Sequence, residues 1–219
     1  LLAGYLIASV PFLAGGVAKG PPGHLWVADT RDIFEVRLDQ PASAAIGKVT
    51  RHIQLGGLVK GSYAAGSADA LWLGAYETHG APRLYKFPWA SLKSQISQED
   101  AASSVLMPVR VQGAAFDAAG RLWVTRSSGS FGELVEVKLE SGAIGARFAF
   151  PVGTEDIGFD AEGRLWTVSE AGSKIRPRGV AAVGLTVIVG HAAASVTHFR
   201  PGIARHAACY LEIDRYASR

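Results

Sequence analysis

Apolar residues along this chain fall in short runs, each closed by a turn containing Gly, Asp or Pro. Within the runs, apolar and polar positions alternate with a period of two, the pattern of half-buried strands rather than helices. The runs Ile33–Leu38, Arg83–Phe87 and Glu133–Leu139 each read as such a strand. Each follows a Leu-Trp pair, at Leu25-Trp26, Leu71-Trp72 and Leu122-Trp123, and a fourth pair stands at Leu165-Trp166. The tryptophans are spaced by 46, 51 and 43 residues.

A unit of roughly 40–50 residues built from short strands is the mark of a β-propeller blade. The last two copies are nearly the same: Phe116-Asp117-Ala118-Ala119-Gly120-Arg121-Leu122-Trp123 and Phe159-Asp160-Ala161-Glu162-Gly163-Arg164-Leu165-Trp166. Each predicts a strand, a tight turn and a second strand. Asp opens the turn because its carboxylate bonds the backbone two residues on, and Gly closes it by accepting positive φ. The tryptophans belong to the apolar layer between blades. Outer strands are expected near Thr50–Leu55 and Ala146–Phe150, and Ser94–Ser104 reads as an exposed polar loop. No long helix is predicted before residue 175. The fold class is therefore all-β, a propeller of four-stranded blades in one domain over 1–219. Six blades of roughly 45 residues would need about 270, so the ring is expected to be five-bladed, or six-bladed and incomplete.

The pattern breaks after the fourth Trp. The next strand of the same type is Cys209–Asp214, some thirty residues later than the repeat requires, leaving an anomalous insert at about 175–208. It has no Asp or Glu and carries His191, His198 and His206. Three readings fit: a genuine cap on the propeller, a segment misread relative to related chains, or a metal site built from the three histidines. Pro201 and Gly202 interrupt any helix that would align them. At the other end, Tyr5–Phe12 reads as a strand in a chain whose true start is missing. It is too short to span a bilayer, which needs roughly 20 apolar residues, and no other segment reads as transmembrane.

Composition narrows the function classes. The chain has 219 residues, a net charge of +3 and no clustered Lys or Arg, which argues against nucleic acid as a partner. Cys209 is the single cysteine, so there is no internal disulfide framework and no Cys-rich zinc site. No Gly-x-Ser-x-Gly elbow, phosphate-binding loop or His-Glu-x-x-His is present. His24, His52 and His79 read as surface residues.

Candidate chemistry lies where hairpins of the repeat share one rim. Before the first strands stand Lys60, Gln112, Glu155 and Asp156, and after the second strands stand Asp29, Glu77, Arg126 and Glu170. Glu155, Asp156 and Glu170 are the candidate catalytic and metal-binding carboxylates. Such a cluster suits a hard cation such as Ca²⁺ or Mg²⁺, which polarises a carbonyl or activates water. Lys60, Gln112, Arg126, Asp29 and Glu77 are the candidate binding residues, with Lys60 and Arg126 either neutralising those carboxylates or holding an anion.

The motif Phe-Asp-x-x-Gly-x-Leu-Trp resembles the blade motif of gluconolactonase/regucalcin-like propellers, and of NHL-type and virginiamycin B lyase-like propellers, over residues 20–173. The resemblance implies a metal-dependent lactone hydrolase as one option, or a lyase. The lactonase site uses Asn ligands, and this chain has no Asn. The lyase-like site needs a late-blade His, and here the late histidines sit inside the insert. A third related type binds a small molecule or protein on its rim without catalysis. Two functions are therefore expected: an exported, secreted or periplasmic binding propeller, or a cation-assisted hydrolase or lyase.

Overall fold

The structure, a computed structural model, describes residues 15–37, 48–150, 152–161, 163–169 and 186–191. These form four antiparallel sheets, one per Leu-Trp pair. The first runs β1 (Gly16–Lys19), β2 (His24–Asp29), β3 (Asp32–Arg37) and β4 (Lys48–Leu55). The second runs β5 (Tyr63–Gly66), β6 (Ala70–Gly74), β7 (Arg83–Pro88) and β9 (Ser103–Leu106). The third runs β10 (Val111–Phe116), β11 (Leu122–Ser127), β12 (Gly132–Val137) and β13 (Ile144–Ala149). The fourth holds β14 (Thr154–Phe159), β15 (Arg164–Ser169) and β16 (Thr186–His191).

The repeat reads through to the register. Trp26 lies opposite Glu35, Trp72 opposite Lys86 and Trp123 opposite Glu136, one charged residue beside each indole. In the fourth sheet Trp166 lies opposite Val189. The third strand of that sheet is thus Thr186–His191, inside the expected insert, and not the anticipated Cys209–Asp214. A β-branched run, Thr186-Val187-Ile188-Val189, supplies the strand preference there. The anticipated segments Tyr5–Phe12 and 209–214, and the side chains of the three insert histidines, lie outside the described residues.

Each sheet packs face to face on the next. Trp26, Ile33 and Ile53 meet Ala64, Leu71, Leu73 and Phe87; Trp72 and Leu84 meet Leu122, Val124 and Val135; Trp123 and Leu134 meet Ile157 and Leu165. Along β6 the residues divide, Leu71 and Leu73 toward the first sheet and Trp72 toward the third, as period-two alternation between two buried faces requires. The first strands converge: β1 touches β5, β5 touches β10, β10 touches β14, and β14 touches β1. They come close enough that side chains are excluded in places. A Cβ on Gly16 would lie 2.7 Å from the Ala64 nitrogen, and one on Gly66 would overlap the Lys19 carbonyl.

The segment read as an exposed loop over Ser94–Ser104 is a strap. From the second sheet it reaches back, and β8 (Gln95–Ile96) adds in parallel to β4, at the outer edge of the first sheet. Ile96 is buried against the first-sheet core, Arg51 donates to the Leu92 carbonyl at 3.0 Å, and Ser97 and Asp100 form a capping box. Lone Ile96 among polar residues carries no periodic signal, which is why sequence pattern misses it.

Turns between first and second strands do more than reverse the chain. Asp117 Oδ1 accepts the backbone N–H groups of Ala119 and Arg121, while Oδ2 accepts Arg121 Nε at 2.7 Å and Trp123 Nε1 at 2.9 Å. Arg121 then lies over the Trp123 ring, 5.4 Å from its centre. Asp160, Arg164 and Trp166 repeat the arrangement, with Oδ2 accepting Arg164 Nε at 2.6 Å and the indole N–H at 2.7 Å. Burial works against the charge of both aspartates, but the indole and guanidinium donors outweigh it, holding Asp117 below the usual range and Asp160 at about 2. In the second sheet Ser67 Oγ replaces the carboxylate as acceptor for Trp72 Nε1, at 3.1 Å. The first sheet has Gly20 at that position, and the buried Trp26 indole N–H finds no acceptor among the described residues.

Replacing Asp117 by Ala removes that acceptor and strands the nearly buried Trp123 N–H. The expected cost is about 1–3 kcal/mol, read as a lowered urea midpoint with unchanged slope. A variant unfolding at the wild-type midpoint would show that the Asp–indole bond contributes nothing.

Candidate functional site

Antiparallel pairing puts the start of each first strand beside the end of its second strand: Gly16 faces Ala28, Val111 faces Arg126 and Thr154 faces Ser169. Asp29, Lys60, Glu77, Gln112, Arg126, Glu155 and Asp156 consequently share one rim, while Glu170 lies outside the described residues. The rim residues pair with neighbours. Lys60 Nζ stands 3.8 Å from Glu77 Oε1 in an exposed pair. Arg126 donates from Nη1 to Glu133 at 2.6 Å and from Nε to the Val109 carbonyl at 2.8 Å, and Arg147 stands 3.6 Å from the same Glu133. Gln112 donates to Glu155 at 3.3 Å, and Asp29 accepts the backbone N–H of Thr30. Neither Lys60 nor Arg126 forms an ion pair with Glu155 or Asp156.

Asp156 occupies a different kind of place. Glu155 and Asp156 form a bulge in β14 between the pairs Thr154–Ser169 and Ile157–Thr167. The bulge turns the Asp156 carboxylate to the first sheet, where Oδ2 accepts Val17 N–H at 2.7 Å, while Oδ1 accepts Ile157 N–H at 2.9 Å. Asp156 therefore ties the fourth inner strand to the first. Gly113 permits this approach from the third sheet, because a Cβ there would lie 2.5 Å from the Asp156 Cα and 2.8 Å from its Oδ1. Burial pushes the Asp156 carboxyl up to about 7. Bonds from the Val17, Ile157 and Ala114 N–H groups oppose the rise, and the charge of Glu155 adds to it.

Sequence reading missed the hydroxyls that hold this bulge. Thr125 Oγ1 donates to the Glu155 carbonyl at 2.6 Å, Ser127 Oγ to the Thr154 carbonyl at 3.0 Å and Thr167 Oγ1 to the Asp156 carbonyl at 2.8 Å. All three are buried. Their sequence signal is slight: Thr125 stands where the first sheet has Ala28 and the second Gly74, and Thr167 where they have Val27 and Leu73. Arg110 was also missed. It is the one non-glycine residue with positive φ among those described, 64°, and its backbone spans two sheets by donating to the Glu77 carbonyl and accepting from Ser127 N–H.

Both Asp156 oxygens already accept backbone N–H groups. Hard cations need several converging oxygens, and among the described residues, which do not include Glu170, no three His, Cys, Asp or Glu side chains converge to hold an ion.

The same rim opens a cleft of about 280 Å³ on the second sheet, lined by Leu58, Glu77, His79, Pro82, Arg83 and Tyr85, with Ala75 and Ala81 between them. Leu58 is 68% exposed at its lip.

No family model matches the chain, and no curated protein matches it. Its architecture is shared with solved structures. A Bacteroides caccae protein of unknown function superposes with a TM-score of 0.52 at 9% identity, over 84% of this chain and 58% of that one. Glutaminyl cyclase from Myxococcus xanthus superposes at 0.52 and 12% identity, over 73% of this chain and 62% of that one. The Dos1 propeller gives 0.45 at 9% identity, over 74% of this chain and 44% of that one. The chain spans less than two thirds of the length of these structures. With the four converging antiparallel sheets, the fold is that of a β-propeller. Identities this low carry the fold alone.

The raised Asp156 value has a definite sign. A carboxyl titrating near 7 when folded and near 3.9 when unfolded binds its proton more tightly in the folded chain. Its contribution is complete below about pH 4 and is lost as pH rises through about 7. Asp156→Asn is therefore expected to flatten the fall of the thermal midpoint between about pH 4 and 7, whatever its absolute midpoint. Parallel wild-type and variant profiles would show that Asp156 does not titrate there.

Proposed function

We propose that this chain is a binding propeller whose ligand face is the rim carrying Lys60, Glu77, Arg110, Gln112, Arg126 and Glu155. The observation that carries this reading is that the rim's polar groups are already committed to partners within the fold. Asp156 spends both oxygens on backbone N–H groups, Arg126 spends its guanidinium on Glu133 and the Val109 carbonyl, and Gln112 turns to Glu155. A general acid or base has to reach a substrate proton within hydrogen-bond distance, and Asp156 faces the backbone of the first sheet. These carboxylates act as fasteners of the rim. The hydrolase or lyase reading retains one supporting observation, the carboxyl of Asp156 held near 7, since perturbed acids gather at active sites. Burial, with a smaller push from the charge of Glu155, accounts for that value without a substrate.

Metal content separates the two readings. Wild-type protein and Glu155→Ala, each equilibrated with Ca²⁺ and Mg²⁺ and then desalted, are expected to retain no stoichiometric metal by mass spectrometry. Stoichiometric metal in the wild type that disappears from the variant would restore the cation-assisted enzyme.

A further inference from the structure

We propose that the cleft on the second sheet takes a small zwitterion with an apolar body, of the class of an aliphatic α-amino acid. This rests on the rim-binding reading and names its ligand. The cleft places one carboxylate, Glu77, and one guanidinium, Arg83, on a wall otherwise made of His79 and of Leu58, Ala75, Ala81, Pro82 and Tyr85. Its volume of about 280 Å³ falls just below the usual range of ligand pockets, roughly 300–1,000 Å³, so it suits a single amino acid and not a cofactor.

Each charged group is prepared for a partner. Arg83 donates Nε to Ser104 Oγ at 2.8 Å and Nη2 to the Ser104 carbonyl at 3.3 Å. Those bonds fix the guanidinium plane and leave its other N–H groups to fork a carboxylate. Among the described residues, the Glu77 carboxylate meets only Lys60, in a loose, exposed pair at 3.8 Å, an interaction that costs little to exchange. A ligand ammonium can take that place.

The apolar lip is held open by the fold. Gly57 adopts φ 60°, and the Leu58 N–H donates to Gln98 Oε1 at 2.7 Å. Gln98 belongs to the strap from the second sheet, so the strap fixes the backbone that presents Leu58. A leucine exposed at 68% beside Pro82 and Ala81 is an apolar surface that an aliphatic side chain would cover.

The test is a ¹H–¹⁵N NMR titration of the full chain with L-leucine, L-leucinamide and 4-methylpentanoate. L-Leucine is expected to bind saturably, with shifts centred on Leu58 and 75–85. Glu77→Gln and Arg83→Gln are each expected to weaken it about tenfold. Leucinamide, which lacks the carboxylate, should bind weakly and be indifferent to Arg83→Gln. 4-Methylpentanoate, which lacks the ammonium, should be indifferent to Glu77→Gln. Unshifted resonances elsewhere confirm that each variant is folded. No saturation by roughly 10 mM, or equal affinity in wild type and both variants, overturns the proposal. Such a failure in metal-free protein removes only the ligand class, whereas stoichiometric metal dependent on Glu155 removes the rim-binding reading itself.

Discussion

Four β-strands have to meet where there is no room for four full rows of side chains, and that crowding governs the rest of the molecule. Gly16, Gly66 and Gly113 stand where neighbouring backbone would collide with any Cβ. Bulk moves outward instead, into the tryptophans and branched residues that fill the layers between sheets. The strands therefore play unequal parts. First strands set the spacing, second strands carry the apolar mass, and third strands supply a charged residue beside each of the first three indoles. An error at the centre is transmitted to every layer because packed interiors yield little.

The same crowding explains how two aspartates in this chain titrate in opposite directions. Asp117 lies at a turn, where a guanidinium and an indole N–H both point at one oxygen, and the attraction exceeds the penalty of burial. Asp156 lies among converging strands, where its donors are neutral backbone groups and its nearest charge, Glu155, repels it. Desolvation wins there. A raised carboxyl in a cleft is a common sign of catalysis, but it also arises wherever a fold needs an acceptor between two strands.

Local and repeated features were legible in the chain. The register of the first three Trp residues against a charged residue, the Asp turns and the positive-φ glycines at Gly120 and Gly163 all follow from short-range chemistry repeated at a known spacing. The gathering of Lys60, Glu77, Gln112, Arg126 and Glu155 on one rim follows from hairpin geometry alone. What escaped was non-local. No pattern near Asp156 announces Val17, which lies 139 positions away. Arg126, expected either to neutralise the carboxylates of the next unit or to hold an anion, takes Glu133, seven residues on in the same hairpin. Glu35 and Glu136, read as the exposed side of alternating strands, are nearly buried beside their tryptophans. His24 and Thr50 bind the first, while Lys138 and Ala146 bind the second.

The strap links the outer edge of the first sheet to the rim. It leaves the second sheet, extends the outer edge of the first through Gln95 and Ile96, and finishes by holding Leu58 through Gln98. An outer edge that would otherwise offer unpaired backbone groups is covered, and the same segment fixes the chain where it crosses to the next sheet. The geometry of the rim on that side is thus set from outside, by the brace, as well as from inside, by the converging strands. Between those anchors the loop carrying Glu77 and His79 is fastened by the Arg110 N–H on the Glu77 carbonyl. A binding surface gains affinity when its parts are ordered before the ligand arrives, and here that ordering comes from backbone bonds, which leaves the side chains of Glu77 and Arg83 able to respond to what enters.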